Sequence, residues 1–271
     1  MPELPEVETT LRGIAPHLRG RRIAAVHIRQ PRLRWPVPAS LATSAAGQRI
    51  TGARRRAKYL VIDLERGSLI LHLGMSGSLR VLSSDTPVKP HDHVDIVLDS
   101  GLALRFNDPR RFGSLLWTVD DPFTHPLLAR LAPEPLEPAF DAKYLIDAAR
   151  GRKVAIKQLL MNSQVVVGVG NIYASEALFR ARVRPTRAAR RLTARELTKL
   201  VRAVKAVLTL AIKTGGTTLR DYVGADGNPG YFRQKLYVYE RKGRPCRVCQ
   251  TPIRQVVQGQ RSTYYCPRCQ Q

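Results

Sequence analysis

Apolar positions in the first twenty residues recur at helical spacing. Val7, Leu11, Ile14 and Leu18 fall on one face and predict a helix over residues 3–19. Glu3, Glu6 and Glu8 stand in its early turns, where the helix dipole favours carboxylates. Pro16 is expected to kink or end it. From about residue 22 to 118 the pattern changes to short apolar or alternating runs. Ile23–Ile28, Tyr59–Leu64, Leu69–Leu73, Val94–Leu98, Leu102–Phe106 and Ser114–Thr118 read as strands. Turn residues separate them, as in Glu65-Arg66-Gly67 and Asp99-Ser100-Gly101. Many short strands with close turns predict a sandwich or barrel.

Residues 120–142 are rich in proline (Pro122, Pro126, Pro133, Pro135, Pro138) and read as a linker. Residues 143–215 carry helical periodicity. The strongest helix begins at Thr193, where Thr193 and Glu196 form a capping-box pattern and Leu192 and Leu197 the staple. Leu197, Leu200, Val201, Val204 and Leu208 are its buried stripe, and Gly215 suits its end. Residues 216–235, rich in Gly and Thr, read as a long loop. Thr251–Tyr265 alternates like a hairpin, with Arg254, Gln258, Gln260 and Arg261 at its polar positions.

Charge then narrows the partner. The chain has 271 residues, a net charge of +24 and a pI of about 10.9. So many cations attract a polyanion and release its counterions, which makes nucleic acid the leading candidate. An anionic membrane surface or a ribosomal role are the alternatives. No apolar run approaches the ~18 residues of a membrane span. No basic segment followed by an apolar stretch opens the chain, so a cytosolic protein is expected.

All four cysteines lie near the end, as Cys246, Cys249, Cys266 and Cys269. Two C-x-x-C turns can each present two thiolates to one metal, the pattern of a tetrahedral zinc site. Two disulfides are the alternative, which a reducing cytosol disfavours. His91 and His93 alternate as on one strand face, but without a carboxylate they are a weak metal signal.

The opening Met1-Pro2-Glu3-Leu4-Pro5-Glu6 carries a candidate chemistry. Removal of Met1 leaves Pro2 as a secondary amine. Such an amine can attack an aldehyde-level carbon and form an iminium, an electron sink like a lysine Schiff base. A proline-rich lead-in to a helix is the plain alternative. Further along, Gly168-Val169-Gly170-Asn171 precedes a helix, which suits phosphate binding or, more simply, a helix corner capped by Asn171. Asp108-Pro109-Arg110-Arg111-Phe112-Gly113 sets cations and an aromatic on a turn that could wedge between base steps. Gly74-Met75-Ser76-Gly77 exposes a flexible apolar side chain, and Arg54-Arg55-Arg56-Ala57-Lys58 is a basic run before a strand.

Taken together, the opening PELPEVET, RRAKYL at 55–60, HLGMSG at 72–77, HDHVD at 91–95, DPRRFG, VGVGNIYASE, GGTTLRDY and the four-cysteine ending resemble the bacterial formamidopyrimidine-DNA glycosylases, also called 8-oxoguanine DNA glycosylase/AP lyases, over essentially the whole chain. The sister endonuclease VIII group usually has Gly where this chain has Leu4. The resemblance implies an α+β multidomain fold. An N-terminal β-sandwich with flanking helices would span residues 2–130. A linker, helix–two-turn–helix domain and lesion loop would span 131–235, and a zinc finger 237–271.

It further implies a monomer that binds damaged double-stranded DNA and flips the oxidised purine out of the stack. Pro2 would attack C1′, with Glu3 as the acid and Glu6 as a supporting carboxylate. Lys58 would move the proton in β-elimination, and Arg261 would serve δ-elimination and phosphate binding. DNA contacts would fall to His91, Arg110, Arg152 and Asn171. Met75, Arg110 and Phe112 would fill the vacated stack, with Arg110 facing the orphaned cytosine, while the 216–235 loop closes over the base. One structural zinc is the only cofactor implied. Two other readings share these residues: an endonuclease VIII-like enzyme for oxidised pyrimidines, and a catalytically silent DNA-binding protein. Pro2, Glu3 and Lys58, all present, argue against silence.

Overall fold

The computed structural model describes residues 2–216 and 236–271. They fall into two compact units. The first runs to Arg130 and takes in Thr214–Gly216; the second takes Leu131–Lys213 and the residues from Leu236 onward.

The first unit opens with helix α1 (Leu4–Leu18), strand β1 (Ile23–Ile28) and the short helix α2 (Leu41–Ala45). Seven strands follow: β2 (Ile50–Arg56), β3 (Tyr59–Leu64), β4 (Ser68–His72), β5 (Ser78–Ser83), β6 (Asp92–Leu98), β7 (Leu102–Asn107) and β8 (Ser114–Thr118). They form two four-stranded antiparallel sheets, ordered β1-β6-β7-β5 and β2-β3-β4-β8. One core joins both sheets: Leu60, Ile62, Leu69, Leu71 and Leu115 cluster with Ile23, Leu79, Val94, Ile96, Leu104 and Phe106. This is the expected sandwich. Helix α1 contributes Val7, Ile14 and Leu18 to the same core and packs on β2, β3 and β5.

Several local expectations change. Helix α1 runs through Pro16 to Leu18. Pro16 is exposed one turn from the end, where its missing N–H costs a single ladder bond and its ring meets no neighbour layer. The basic run 54–58 does precede a strand, β3, and it also ends the strand before it. Arg54–Arg56 belong to β2, an edge strand on which Arg54 is exposed and paired with Asp63 while Arg55 turns to Glu8 of α1, and charged edge strands resist pairing with other chains. His91 is not on a strand face with His93; it lies in a turn at φ 72°, one residue before β6. The proline-rich stretch after β8 is folded: Pro122–Thr124 form a 3-10 turn and Pro126–Ala129 a short helix, α3. Prolines at the first helical positions serve as starts there.

The second unit holds α4 (Ala142–Ala149), α5 (Ile156–Leu160), α6 (Asn171–Ala181) and α7 (Ala194–Lys213), then the hairpin β9 (Arg254–Gln258) and β10 (Arg261–Tyr265). Residues Ile172–Phe179 of α6 are all buried, so α6 is its central helix, and α7 packs against it and against α4. The predicted stripe of α7 is buried throughout. Thr193 N–H donates to Glu196 Oε2 at 2.8 Å and Glu196 N–H to Thr193 Oγ1 at 3.2 Å, the predicted capping box. Arg187 adds a 2.6 Å contact that, with burial opposing it, holds the Glu196 carboxyl down to about 2. Gly215 takes φ 75° beyond the helix end. The loop expected over 216–235 lies, from residue 217 on, outside the described residues.

Candidate functional site

The head of α1 brings Pro2, Glu3 and Glu6 together. All three are buried, and Glu3 is the N-cap residue. The backbone N–H of Glu3, in the peptide that follows Pro2, donates to Glu6 Oε2 at 2.9 Å, and the two glutamates form a capping box. Gly216 packs on the same carboxylate: a Cβ at this glycine, whose φ is 78°, would stand 3.0 Å from Glu6 Oε1. Pro2 therefore sits on a fixed backbone at the positive end of a helix dipole, which favours a neutral amine, while the Glu3 and Glu6 carboxylates at the same helix head oppose that effect. Its nitrogen is an amine only once Met1 is gone.

Lys58 is presented by the two-residue turn between β2 and β3, where Arg56 pairs with Tyr59. The preceding Ala57 is buried at φ 55°, a left-handed conformation costly for a residue with a Cβ. Arg55 supports it. Its Nη1 donates to Ala57 O at 3.0 Å and its Nε to Glu8 Oε2 at 2.9 Å, which ties the turn to α1. Burial raises the Glu8 carboxyl, but Arg55 and Arg12 outweigh it and hold the group below its ordinary range.

His72 faces Tyr59 across β3 and β4, with ring centroids 4.8 Å apart. Gly74 N–H donates to His72 Nδ1 at 2.9 Å, so Nδ1 is the bare nitrogen and Nε2 carries the proton. Burial, then Lys58 and Arg34, push its pKa down to about 4. A neutral N–H donor flanked by two cations suits an anionic oxygen. Sequence reasoning missed His72, because a histidine at the end of an apolar strand looks like packing; only the lysine across the sheet gives it meaning.

Two turns and His91 meet around Asp108. Met75 and Phe112 are exposed by 40% and 43%, and Arg110 and His91 are also exposed. The Arg110 guanidinium lies 4.7 Å from the centre of the Phe112 ring, a cation–π contact. Asp108 N–H donates to His91 O at 3.1 Å. The Phe112 ring with its guanidinium, and Met75 on the other turn, are thus exposed apolar groups held on tight turns.

In the second unit, Asn171 is the first residue of α6 and Gly170 its N-cap, so the asparagine does not cap the helix. Its side chain is held from within: Oδ1 accepts from Lys157 Nζ at 2.5 Å and Nδ2 donates to Ser262 O at 3.0 Å. Lys157, 1% exposed, also donates to Thr263 Oγ1 at 2.7 Å. It thus joins α5, the start of α6 and the hairpin. Sequence reasoning missed this residue too; a lone lysine inside the apolar run of α5 was the available signal. Arg261 stands exposed at the first position of β10. The turn before it has Gly259 at φ 51° and Gln260 at φ 61°, which a two-residue hairpin requires. Arg152 is exposed in the turn after α4, where its carbonyl accepts from Arg190 N–H at 3.0 Å.

The four cysteine sulfurs lie within 4.8 Å of one another. Cys249 and Cys266 are 3.4 Å apart and Cys246 and Cys269 3.9 Å, too far for disulfides. Zinc–sulfur bonds of about 2.3 Å in a tetrahedron place sulfurs at about this separation. The donor set therefore fits zinc, and backbone N–H groups of Val248 and Cys269 point at Cys246 and Cys266 sulfurs.

Comparison with known proteins agrees with this geometry. Residues 1–115 match the formamidopyrimidine-DNA glycosylase N-terminal domain, residues 131–223 the H2TH domain of the same glycosylases, and residues 243–271 a zinc finger found in them and in IleRS. A formamidopyrimidine-DNA glycosylase of Thioalkalivibrio sulfidiphilus is 60% identical over 270 residues, covering 100% of both chains. The crystal structure of the MutM (Fpg) protein of Thermus thermophilus superposes with a TM-score of 0.89 at 41% identity, covering 99% of this chain and 98% of that one. A Lactococcus lactis Fpg in complex with abasic-site DNA gives 0.92 at 32% identity, covering 99% of each chain. Another complex of that protein holds DNA containing an oxidised pyrimidine. With matches of this kind along its full length, the chain belongs to the formamidopyrimidine-DNA glycosylase family.

Proposed function

We infer that this protein is a base-excision repair DNA glycosylase that removes oxidised purines, 8-oxoguanine and formamidopyrimidines, and then acts as an AP lyase. The buried Pro2–Glu3–Glu6 head is the observation that carries the reading. Removal of Met1 makes the Pro2 nitrogen a secondary amine, and a buried backbone that Glu6 fixes through the Glu3 N–H supports its use as the nucleophile.

The chemistry runs from that amine. With the nucleotide flipped out, the Pro2 lone pair attacks C1′ and the bond to the base breaks. The bonding electrons leave with the base, which takes up the proton that the Pro2 nitrogen sheds on bonding to C1′. Glu3 donates a proton to the sugar oxygen as the ring opens, leaving Pro2 as an iminium on C1′. That cation acidifies the hydrogen on C2′. Lys58 takes this proton, electrons move toward the iminium nitrogen, and the 3′ phosphate leaves. A second elimination expels the 5′ phosphate and leaves a one-nucleotide gap. Arg261 assists this step and holds phosphate.

The remaining residues hold the DNA. Lys58, Arg34 and the Nε2–H of His72 form a cationic patch suited to a backbone phosphate. His91, Arg152 and Asn171 contact the strand, and Met75, Arg110 and Phe112 fill the gap left by the flipped base. One zinc held by Cys246, Cys249, Cys266 and Cys269 would be structural, since four thiolates leave no open position. The working form is a monomer acting on the nucleoid in the cytoplasm, and no helix among the described residues is long and apolar enough to cross a membrane.

A second reading has a specific support. A family member was captured with DNA containing an oxidised pyrimidine, so the pocket class does not by itself exclude such bases. Excision from duplexes carrying 8-oxoguanine opposite cytosine, measured beside thymine glycol duplexes, separates the two. Faster release of 8-oxoguanine is expected; predominant release of thymine glycol overturns the purine assignment.

A further inference from the structure

We propose that Asp108 is a positioning residue that locks the Met75 turn and the Arg110–Phe112 turn into one inserting unit. This rests on the reading above that these three side chains enter the duplex.

Asp108 is completely buried, yet no catalytic step uses it. Its carboxylate is shared between the two turns. Oδ1 accepts the Ser76 hydroxyl at 2.7 Å, from the turn that presents Met75. Oδ2 accepts Gly113 N–H at 2.8 Å, just past Phe112, and Oδ1 accepts Arg110 N–H at 3.3 Å. The Asp108 backbone is fixed as well: its carbonyl accepts from Arg111 N–H at 3.1 Å and faces His93 Nε2 at 2.8 Å. A buried carboxylate is costly unless donors surround it, and here each donor belongs to one turn or the other.

The turns also touch directly. Any Cβ on Gly74 would fall 2.4 Å from Gly113 N and 2.5 Å from the Phe112 carbonyl carbon. A Cβ on Gly113 would fall 2.6 Å from His72 O. Two glycines therefore let the two backbones lie in contact, and the Ser76–Asp108–Gly113 bridge holds them there. Met75 and Phe112 project from this base with their side chains free to meet a partner. A unit ordered before binding loses less entropy on insertion than two turns that must be ordered separately. It also presents the forked donors of Arg110 at a fixed height to the base left unpaired.

Ser76→Ala removes the hydroxyl bridge and leaves Met75, Arg110 and Phe112 in place. The probe is a duplex with a tetrahydrofuran abasic analogue opposite cytosine or adenine. In the parent, Met75→Ala and Phe112→Ala should be coupled: the double variant should lose about tenfold less affinity than the product of the single losses. In the Ser76→Ala background the losses should simply multiply. Ser76→Ala should also shrink the cytosine-over-adenine preference about fivefold and lower the melting temperature, because the buried Asp108 carboxylate loses a donor, while binding to undamaged duplex stays near the parent value, and Ser76→Thr should restore the preference. Multiplicative losses in the parent, or an unchanged preference in Ser76→Ala, overturn the lock while leaving the inserting role intact. If Met75→Ala and Phe112→Ala each bind the abasic duplex like the parent, the inserting role falls and the lock falls with it.

Discussion

Glu6 holds the backbone of Glu3. The 2.9 Å bond from Glu3 N–H to Glu6 Oε2 fixes the peptide that follows Pro2, inside the first turn of α1. Glu6 thus acts on Pro2 through the backbone. Glu6→Ala should cost about 1 kcal/mol of stability through the lost cap. It should cost far more in rate, on the order of 100-fold, because a displaced nucleophile misses its carbon. Glu6→Gln keeps an acceptor oxygen and should recover most of the stability. Thermal melts and single-turnover excision on the same variants check this; equal rates for Glu6→Ala and the parent would remove Glu6 from the account.

The cysteine cluster should be structural and required. Cys249→Ala leaves three thiolates, and the zinc content should fall from one ion per chain to near none. The β9–β10 hairpin then loses its pin and Arg261 its position. Loss of that charged contact alone should cost about 1.5–3 kcal/mol of affinity for lesion DNA. Zinc analysis and DNA titration test both halves, and undiminished affinity in the zinc-free variant contradicts the assignment.

Acid should weaken the fold in two windows. His72 titrates near 4 in the folded protein and at about 6.5 when unfolded, so the unfolded chain binds its proton first. Stability from this residue is complete above pH 6.5 and drains away as the pH falls toward 4. Glu196, at about 2 in the fold against 4.5 unfolded, stabilises above 4.5 and loses its contribution as the pH falls toward 2. Denaturant unfolding across pH should show the upper window vanish in His72→Gln and the lower one in Glu196→Gln. If His72→Gln keeps the slope between pH 6.5 and 4, burial of a neutral histidine is the wrong explanation.

Wedge and phosphate contacts should separate by salt. Phe112→Ala should weaken capture of lesion DNA without altering the salt dependence, because no counterion is released by a phenyl ring. Arg261→Ala should reduce the slope of log K against log salt by about 0.9. Binding titrations from low to high salt check both; a changed slope in Phe112→Ala contradicts its role as a wedge.

Legibility followed locality. Helix α7 could be read in full, because its stripe, cap and end all lie within one segment at Leu197–Leu208, Thr193, Glu196 and Gly215. The cysteine cluster was legible for the same reason, since two short turns carry all its ligands. Strand β2 was not, because an edge strand spends its outer positions on arginine and shows little alternation. His72 and Lys157 were invisible for a different reason. Each looks like an apolar-run interruption until a partner far along the chain, Lys58 for one and Thr263 for the other, comes within reach. Asp108 is the extreme case: its motif was conspicuous, but its bond to Ser76 spans 32 positions. Motif resemblance named the likeness of the chain; only the fold shows which buried groups hold the motifs in place.

The central claim is that the proline amine itself forms the covalent link to DNA. Protein lacking Met1 should be incubated with abasic-site duplex and borohydride, digested, and the adduct located by mass spectrometry. The account predicts the sugar remnant on the N-terminal peptide, attached to Pro2, and no adduct in protein that retains Met1. A remnant on Lys58 or any other lysine, or strand cleavage at full rate by the form that retains Met1, contradicts it.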